Sequence, residues 1–246
     1  MRIAIVTDIH EDADRLVNAL KLLDSDGYDQ LVCLGDITGY SKGFNYHRAD
    51  AEKCIALLRE KRALVVTGNH DLNTCKKLPS YYGSYGLDEH WYAMKPEHKK
   101  QKAYRKFWLY EDEITSCQSL ESLSFLEQLP EWLILETDAG RILFSHFLSP
   151  DHCGITRSFP ATYIGWGKHK AFMKDHQCRF AFVGHAHPSG IAVTGKLGWL
   201  NPSETFYRLP ERDRIIISPA LVTNQIASAC LIFDSSKNEV KTIVIS

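Results

Sequence analysis

Carboxylate and imidazole side chains occur in five short clusters spread along the chain. The clusters are Asp8 with His10, Asp36, the run Asn69-His70-Asp71, His146, and His185 with His187. Carboxylate oxygens and imidazole nitrogens together suit Mn, Fe, Zn, Co or Ni, and the lack of cysteine here argues against a structural zinc site. The donors are too many for one ion, so the set favours two neighbouring divalent ions that share a bridging carboxylate.

Each of the first three clusters follows a segment predicted to be a buried strand. Residues 3–8, 31–36 and 63–69 are short apolar runs rich in β-branched residues, and amphipathic helices are predicted between them at 13–24 and 49–61. This alternation predicts parallel strands with right-handed crossovers. Because ligands bind at the carboxyl ends of such strands, we expect the clusters to meet in one place.

The spacing within the clusters fits a shared site. Alternate residues leaving a strand point to the same side, so Asp8 and His10 can face one centre, as can His185 and His187. A glycine allows close approach of the backbone just before a ligand. Three of the clusters are preceded by one: Gly35, Gly68 and Gly184.

The second half of the chain is richer in predicted strands. One helix is expected near 167–177, and strands are expected at 132–137, 141–147, 179–185, 189–195, 213–218, 227–234 and 239–245. The predicted fold class is α/β, with two mixed β-sheets packed face to face and helices on both outer sides. We take 1–246 as a single domain with a mainly helical, aromatic-rich insert or cap at about 73–128, ending in a helix at 119–129.

Composition limits the class of partner. The chain has 246 residues, a net charge of −1 and a pI near 6.8, so nucleic acid is not an expected partner. No apolar run is long enough to cross a bilayer, so no membrane association is expected. The seven cysteines are odd in number and never spaced C-x-x-C, which is typical of reduced thiols and predicts a cytoplasmic location.

Taken together, the five clusters resemble the motif series of the calcineurin-like metallophosphoesterase superfamily, from the first strand to about residue 187. The resemblance implies a four-layer αββα sandwich and two divalent metal ions, with Mn, Fe, Zn and Ni left open. It implies that one ion is held by Asp8, His10, Asp36 and His187. It implies that the second is held by Asp36, Asn69, His146 and His185, with Asp36 bridging.

The resemblance also assigns the reacting groups. His70 matches the superfamily's catalytic histidine, which contacts the phosphate and can protonate the leaving oxygen, and Asp71 would orient its ring. A hydroxide between the two ions would be the nucleophile. Arg157 is a candidate for contact with a substrate phosphate, although an exposed position at the rim explains it equally well. The other histidines are expected in surface helices and loops: His47, His90, His98, His152, His169 and His176.

Several functions stay open at this point. Hydrolysis of a small phosphomonoester is favoured, and a phosphodiester, a nucleotide or a dinucleoside polyphosphate are the alternative substrates. A non-catalytic scaffold, like the retromer subunit of this superfamily, is disfavoured because the run Gly68 to Asp71 is intact. The chain reads Ser218-Pro219-Ala220-Leu221 where similar small bacterial members carry an Asn-Pro-Gly-Ser type turn, so their substrate preference does not transfer. Oligomeric state is not indicated.

Overall fold

The computed structural model describes residues 1–41, 49–159, 163–188, 190–195, 199–200, 205–222 and 228–245. The first part of the chain alternates strands and helices as predicted. Its elements are β1 (Arg2–Val6), α1 (Ala13–Asp26), β2 (Gln30–Cys33), β3 (Tyr40–Ser41), α2 (Ala51–Glu60), β4 (Leu64–Val65) and α3 (Asn69–Cys75). Asp12 caps the start of α1: its side chain accepts a hydrogen bond from Arg15 N at 2.9 Å, as an N-cap carboxylate should.

The rest of the chain contains more strands than helices. Its elements are α4 (Pro96–Ala103), β5 (Glu113–Ile114), α5 (Leu120–Gln128), β6 (Trp132–Thr137), β7 (Gly140–Ser145), α6 (Tyr163–Asp175), β8 (Cys178–Val183), β9 (Ala192–Thr194), β10 (Trp199–Leu200), β11 (Phe206–Arg208), β12 (Arg214–Ile217), β13 (Ser228–Asp234) and β14 (Glu239–Ile245). Two short 3₁₀ helices, Tyr82–Tyr85 and Trp91–Ala93, lie before α4.

Two six-stranded mixed sheets form the centre of the fold. The first has the order β11-β14-β13-β1-β2-β4, and the second has the order β10-β9-β12-β8-β7-β6. Strand β2 pairs in parallel with β1 and with β4, as the sequence predicts. In the second sheet, β8 pairs in parallel with β7 and with β12. The parallel strands β1, β2 and β4 therefore lie at one side of the first sheet, and β12, β8 and β7 lie in the middle of the second. The polar clusters follow the carboxyl ends of these strands.

Three apolar clusters show how the layers are stacked. Ile3 and Ile5 of β1 pack with Phe144, Phe182 and other residues of the second sheet, so this cluster fills the space between the sheets. The opposite face of β1 packs with Leu16 and other residues of α1, α2 and α5. The outer face of the second sheet packs with Trp166 and Met173 of α6. These contacts confirm the predicted fold, with two sheets face to face and helices on both outer sides.

The strands nearest the polar clusters end earlier than predicted. Strand β1 ends at Val6, β2 at Cys33 and β4 at Val65, whereas the sequence predicts them to continue into the polar clusters. The clusters therefore occupy loops that follow the strands, and Asn69 opens α3. This seven-residue helix is not predicted, because its sequence NHDLNTC has no apolar periodicity.

Residues 73–128, the insert segment, contain α4, β5, α5 and both 3₁₀ helices. Its apolar side chains form a separate small cluster in which Trp91 and Phe107 pack against Cys153 and Ile155 of the loop after β7. Most aromatic residues of the segment therefore serve to pack it on the body of the protein. Strand β5 is a further contact, because it pairs with β3 through Tyr40 and Ile114.

Candidate metal centre

The candidate ligands lie at the carboxyl ends of the central strands, in backbone that is mostly strained. Five of the seven adopt φ values between 46° and 65°, in the left-handed region: Asp8, His10, Asp36, His185 and His187. Such values are uncommon for residues with a Cβ and cost of order 1–3 kcal/mol each. A cost repeated at these positions is expected where the loops are shaped for a site.

One group of donors comes from the loops after β1 and β8. Asp8, His10 and His187 each offer a ligand atom, and these atoms all lie within 4.8 Å of one another. His187 Nε2 is 3.0 Å from Asp8 Oδ1. The other carboxylate oxygen of Asp8 accepts hydrogen bonds from Thr7 Oγ1 at 2.8 Å and from His185 N at 3.1 Å, which fixes its orientation.

A second group of donors lies beside the first. Asp36, His146 and His185 again place their ligand atoms within 4.8 Å of one another. His146 Nε2 lies 3.2 Å from Asp36 Oδ2, 3.2 Å from His185 Nδ1 and 3.1 Å from Asn69 Oδ1. Asp36 also groups with His10 and His70 within the same limit, so its carboxylate lies between the two sets.

Backbone contacts orient two of the imidazole rings. His10 Nδ1 lies 2.8 Å from Gly39 O, and His146 Nδ1 lies 2.7 Å from Leu34 O. A carbonyl only accepts, so Nδ1 carries the proton in each ring and the Nε2 lone pair faces the centre. Metal-binding histidines commonly have such an arrangement. The close approach of Gly68 completes the packing, since a Cβ there would lie 2.1 Å from Asp36 Oδ1.

The electrostatics of the centre suit a cation. Burial lowers the pKa of His10 to about 4 and that of His185 to about 3, so both rings are neutral near pH 7 and keep a free lone pair. Burial also opposes a charge on His146, but Asp36 outweighs it and raises the pKa of His146 to about 9. The carboxylates thus draw positive charge into a buried place, where a metal ion would replace the protons. The residues present fit divalent ions.

His70 faces the same centre, but Asp71 is not its partner. Asp71 instead accepts hydrogen bonds from the backbone N–H groups of Asp36, Ile37, Thr38 and Gly68 at 2.8–3.0 Å. The expectation that Asp71 orients His70 is therefore wrong: the Asp71 carboxylate holds the loop that carries Asp36. The group beside His70 is Glu113 of β5, whose Oε2 lies 2.6 Å from His70 Nδ1.

Glu113 could not be found from the sequence. It lies far from His70 along the chain, in a two-residue strand inside a polar segment, and no motif marks it. Burial opposes a charge on His70, but the carboxylates of Asp36 and Glu113 outweigh it and raise the pKa of His70 to about 9. Glu11, also missed, is completely buried beside His10.

A cavity of about 600 Å³ opens onto the donors. Besides the metal-ligand candidates and His70, aromatic side chains line it: Tyr40, Trp108, Tyr110 and Phe159. The ring of Tyr110 meets that of His70 edge to face at 5.2 Å. Arg157 is exposed, and its guanidinium lies 5.0 Å from the centre of the Trp108 ring. Arg157 therefore contacts Trp108, which lines the cavity, and lies beside the cavity.

Two histidines expected at the surface are buried. His152 is 5% exposed and His169 is 0% exposed, in the packing between α6 and the loop after β7. Helical spacing puts His169 on the same face as Trp166 and Met173, a pattern in the sequence that indicates burial. His90, His98 and His176 are at least partly exposed, and His47 lies outside the described residues.

The fold and the donor set define a class of protein, the metallophosphoesterases, and comparison with known proteins gives the family. The profile of the calcineurin-like phosphoesterase family matches residues 1–189. The match covers more than half of the 246 residues, and the chain belongs to this family, whose members depend on metal ions. The resemblance inferred from the motifs is confirmed.

The chain is also similar to individual proteins. The chain is 27% identical to an uncharacterized protein of Methanocaldococcus jannaschii over 226 residues, which are 89% of this chain and 75% of that protein. A metallophosphoesterase from Sphaerobacter thermophilus has a similar structure, with a TM-score of 0.68, 22% identity, and coverage of 100% of this chain and 88% of that one. A hypothetical protein from Pyrococcus horikoshii OT3 follows, with a TM-score of 0.59, 14% identity and the same coverage. Both structural likenesses concern the fold.

One further property of the described helices concerns membranes. None of them combines the length and the apolar character needed to cross a bilayer.

Proposed function

We propose that this protein hydrolyses a small phosphomonoester with the help of two divalent metal ions. The observation that carries the proposal is the convergence of seven donor residues from five separate segments into two adjoining groups, with Asp36 between them. In this assignment one ion is held by Asp8, His10, Asp36 and His187. The second is held by Asp36, Asn69, His146 and His185. Mn, Fe, Zn and Ni all suit these ligands.

The ions, when bound, supply positive charge at the phosphoryl oxygens and lower the pKa of water to the range needed for attack. The protein contributes the remaining steps. His70 Nε2 faces the centre, 4.0 Å from Asp36 Oδ2, and donates a proton to the leaving oxygen. Trp108 and Tyr110 limit the access of water and pack against the organic part of the substrate. Arg157, stacked on Trp108, is a candidate for contact with its outer part.

The size of the cavity favours an organic ester over free inorganic polyphosphate. About 600 Å³ is room for a phosphate together with a substituent of ten or so atoms, and four aromatic rings line it. A phosphodiester is the alternative, since a second ester group also fits this volume. A net charge of −1 gives no support to nucleic acid as a substrate.

The test is a substrate screen on protein stripped of metal and reloaded with Mn, Ni or Zn. We expect p-nitrophenyl phosphate to be hydrolysed faster than bis(p-nitrophenyl) phosphate. The reverse order would identify a diesterase. His70→Ala is expected to lower kcat by about 10²- to 10⁴-fold while both metal equivalents remain. Loss of the ions in this variant, or no hydrolysis by the wild type with any metal, would contradict the proposal. A wild type without activity would favour a non-catalytic scaffold.

The location is proposed from the thiols. All seven cysteines are free, and six of them are buried, which supports a reducing, cytoplasmic compartment. If protein is taken directly from cells, unfolded and treated with a thiol-alkylating reagent, all seven cysteines are expected to be modified without prior reduction.

A further inference from the structure

Glu113 and His70 form a close pair at the edge of the metal centre. Glu113 Oε2 lies 2.6 Å from His70 Nδ1, and the Glu113 side chain is only 7% exposed. The two atoms are at ion-pair distance, but their alignment is not that of a hydrogen bond, as is common for catalytic pairs before substrate binds. A carboxylate accepts and does not donate, so in the aligned pair the proton lies on Nδ1 and the opposite nitrogen faces the centre. The His70 ring is also bounded by His10 at 4.8 Å and by Tyr110 at 5.2 Å, both edge to face.

Two neighbours fix the Glu113 carboxylate itself. Asn73, one turn after His70 on α3, donates from Nδ2 to Glu113 Oε1 at 2.7 Å. Gly39 lies against the same oxygen: a Cβ at this position would be 2.8 Å from Glu113 Oε1 and 3.2 Å from His70 Cβ. The absence of a side chain at Gly39 therefore makes the space in which this carboxylate lies.

The strand that carries Glu113 is fastened to the loops that carry the ligands. Strand β5 pairs with β3, with Ser41 opposite Glu113. Both strands are tied to the buried Glu11, which accepts from Gly39 N at 2.8 Å and from Ser116 N at 2.8 Å. Glu11 directly follows His10, so one short segment supports a metal-ligand candidate and the position of Glu113.

We infer that Glu113 is the positioning residue for His70, and that the insert segment supplies it to the active site. Glu113 holds the Nδ1 proton and the ring plane, so that Nε2 stays directed at the leaving oxygen. Asp71, the neighbour in sequence, is committed to the loop of Asp36 and does not do this. The inference rests on the role proposed above for His70, although the pair itself can be examined without turnover.

The first test is spectroscopic. In the full chain, metal-free and zinc-loaded, with ¹⁵N-labelled histidine, the Nδ1–H group of His70 is expected to give a strongly downfield signal that exchanges slowly with water. Its absence in His70→Ala assigns it. The signal is expected to disappear in Glu113→Ala and to persist in Glu111→Gln, a variant with a carboxylate lost two residues away, where the side chain pairs with Lys100. Persistence of the signal in Glu113→Ala overturns the inference.

The second test is kinetic and uses two leaving groups. Glu113→Gln is expected to lower kcat by about 10- to 100-fold with little change in KM or in metal content, a loss of the size seen when a carboxylate that orients a functional histidine is removed. The loss is expected to be greater for phenyl phosphate than for p-nitrophenyl phosphate, because the poorer leaving group depends more on protonation. Glu111→Gln is expected to keep the wild-type ratio between the two substrates.

A double-mutant cycle shows whether Glu113 acts through His70. In the His70→Ala background, Glu113→Gln is expected to change kcat by less than about 2-fold, because its target is gone. If the two substitutions lower kcat by independent factors that multiply in the double variant, the inference is overturned. If the wild type hydrolyses neither ester, the proposed function fails, and the spectroscopic test alone decides whether Glu113 positions His70.

Discussion

The buried carboxylate of Glu11 offers a sharp test of how the metal-ligand loops are held. Each of its oxygens accepts from one backbone N–H and one hydroxyl. Oε1 accepts from Gly39 N at 2.8 Å and Thr115 Oγ1 at 2.6 Å, and Oε2 accepts from Ser116 N at 2.8 Å and Ser116 Oγ at 2.6 Å. In Glu11→Gln, either orientation of the amide places its NH₂ group against a backbone N–H, which cannot rotate to accept.

Glu52 provides a matched control with the same number of contacts. Its Oε1 accepts from the backbone N–H groups of Gln118 at 3.1 Å and Ser119 at 2.9 Å. Its Oε2 accepts only from the hydroxyls of Ser119 and Ser122. In Glu52→Gln, the carbonyl oxygen can keep both backbone donors while the NH₂ group faces hydroxyls that rotate and accept.

The two substitutions should therefore differ in stability. Glu11→Gln loses one bond to a charged acceptor outright and leaves a buried N–H unpaired, and we expect a cost of about 3 kcal/mol. Glu52 is partly exposed and keeps its partners, so Glu52→Gln should cost less than about 1 kcal/mol. Urea unfolding of both variants, metal-free, gives the two free energies of unfolding. Costs that agree within about 0.5 kcal/mol would refute this reading of the contacts.

Three further predictions concern the centre and the protein around it. Asp36→Asn should weaken binding of both ions, and two full metal equivalents after dialysis would contradict a bridging position. Gly39→Ala should lower kcat with metal retained, because its Cβ enters the space of Glu113, and unchanged kcat would argue against that crowding. Burial lowers the pKa of His169 from 6.5 to about 3. Between pH 6.5 and pH 3 the unfolded chain therefore binds this proton and the folded chain does not, so the free energy of unfolding decreases as the pH is lowered. Lowering the pH from 6.5 to about 5 should cost about 2 kcal/mol of stability. His169→Asn keeps an acceptor for Ser149 N and should remove this part of the pH dependence of the urea midpoint. An unchanged pH dependence in the variant would refute the prediction.

Much of the fold could be predicted because long segments carry a clear period. Strands β6 and β14 have the predicted bounds, and α1, α2 and α5 agree to within about two residues, the usual uncertainty of a helix end. The gathering of distant donors was also expected, because the strands that precede them are parallel and ligands bind at the carboxyl ends of such strands. Polar residues directly after apolar runs therefore contain information about both the sheet and the site.

The details that were not predicted have physical causes. Strands β1 and β2 end early because Asp8 and Asp36 adopt left-handed backbone, which no extended strand contains, and β4 is followed by the start of α3 at Asn69. Strands β3 and β5 have two residues each and carry no periodicity. The pairing of Glu113 with His70 depends on where the insert segment returns to the body, a tertiary contact that local sequence does not encode. The resemblance assigns Asp71 as the partner of His70, but adjacent residues on a helix do not face each other.

The position of Glu11 connects these observations. Its backbone follows His10 and adopts a φ of 66°, and its side chain holds Gly39 together with the residues after Glu113. The strained loop that carries the candidate metal ligands Asp8 and His10 is thereby also the anchor for the insert segment. One buried carboxylate joins the loop of His10 to the segment that bears Glu113. A change that loosens the loop or this segment is therefore expected to move the His70 ring. The catalytic geometry thus depends on contacts between segments that are more than a hundred residues apart in sequence.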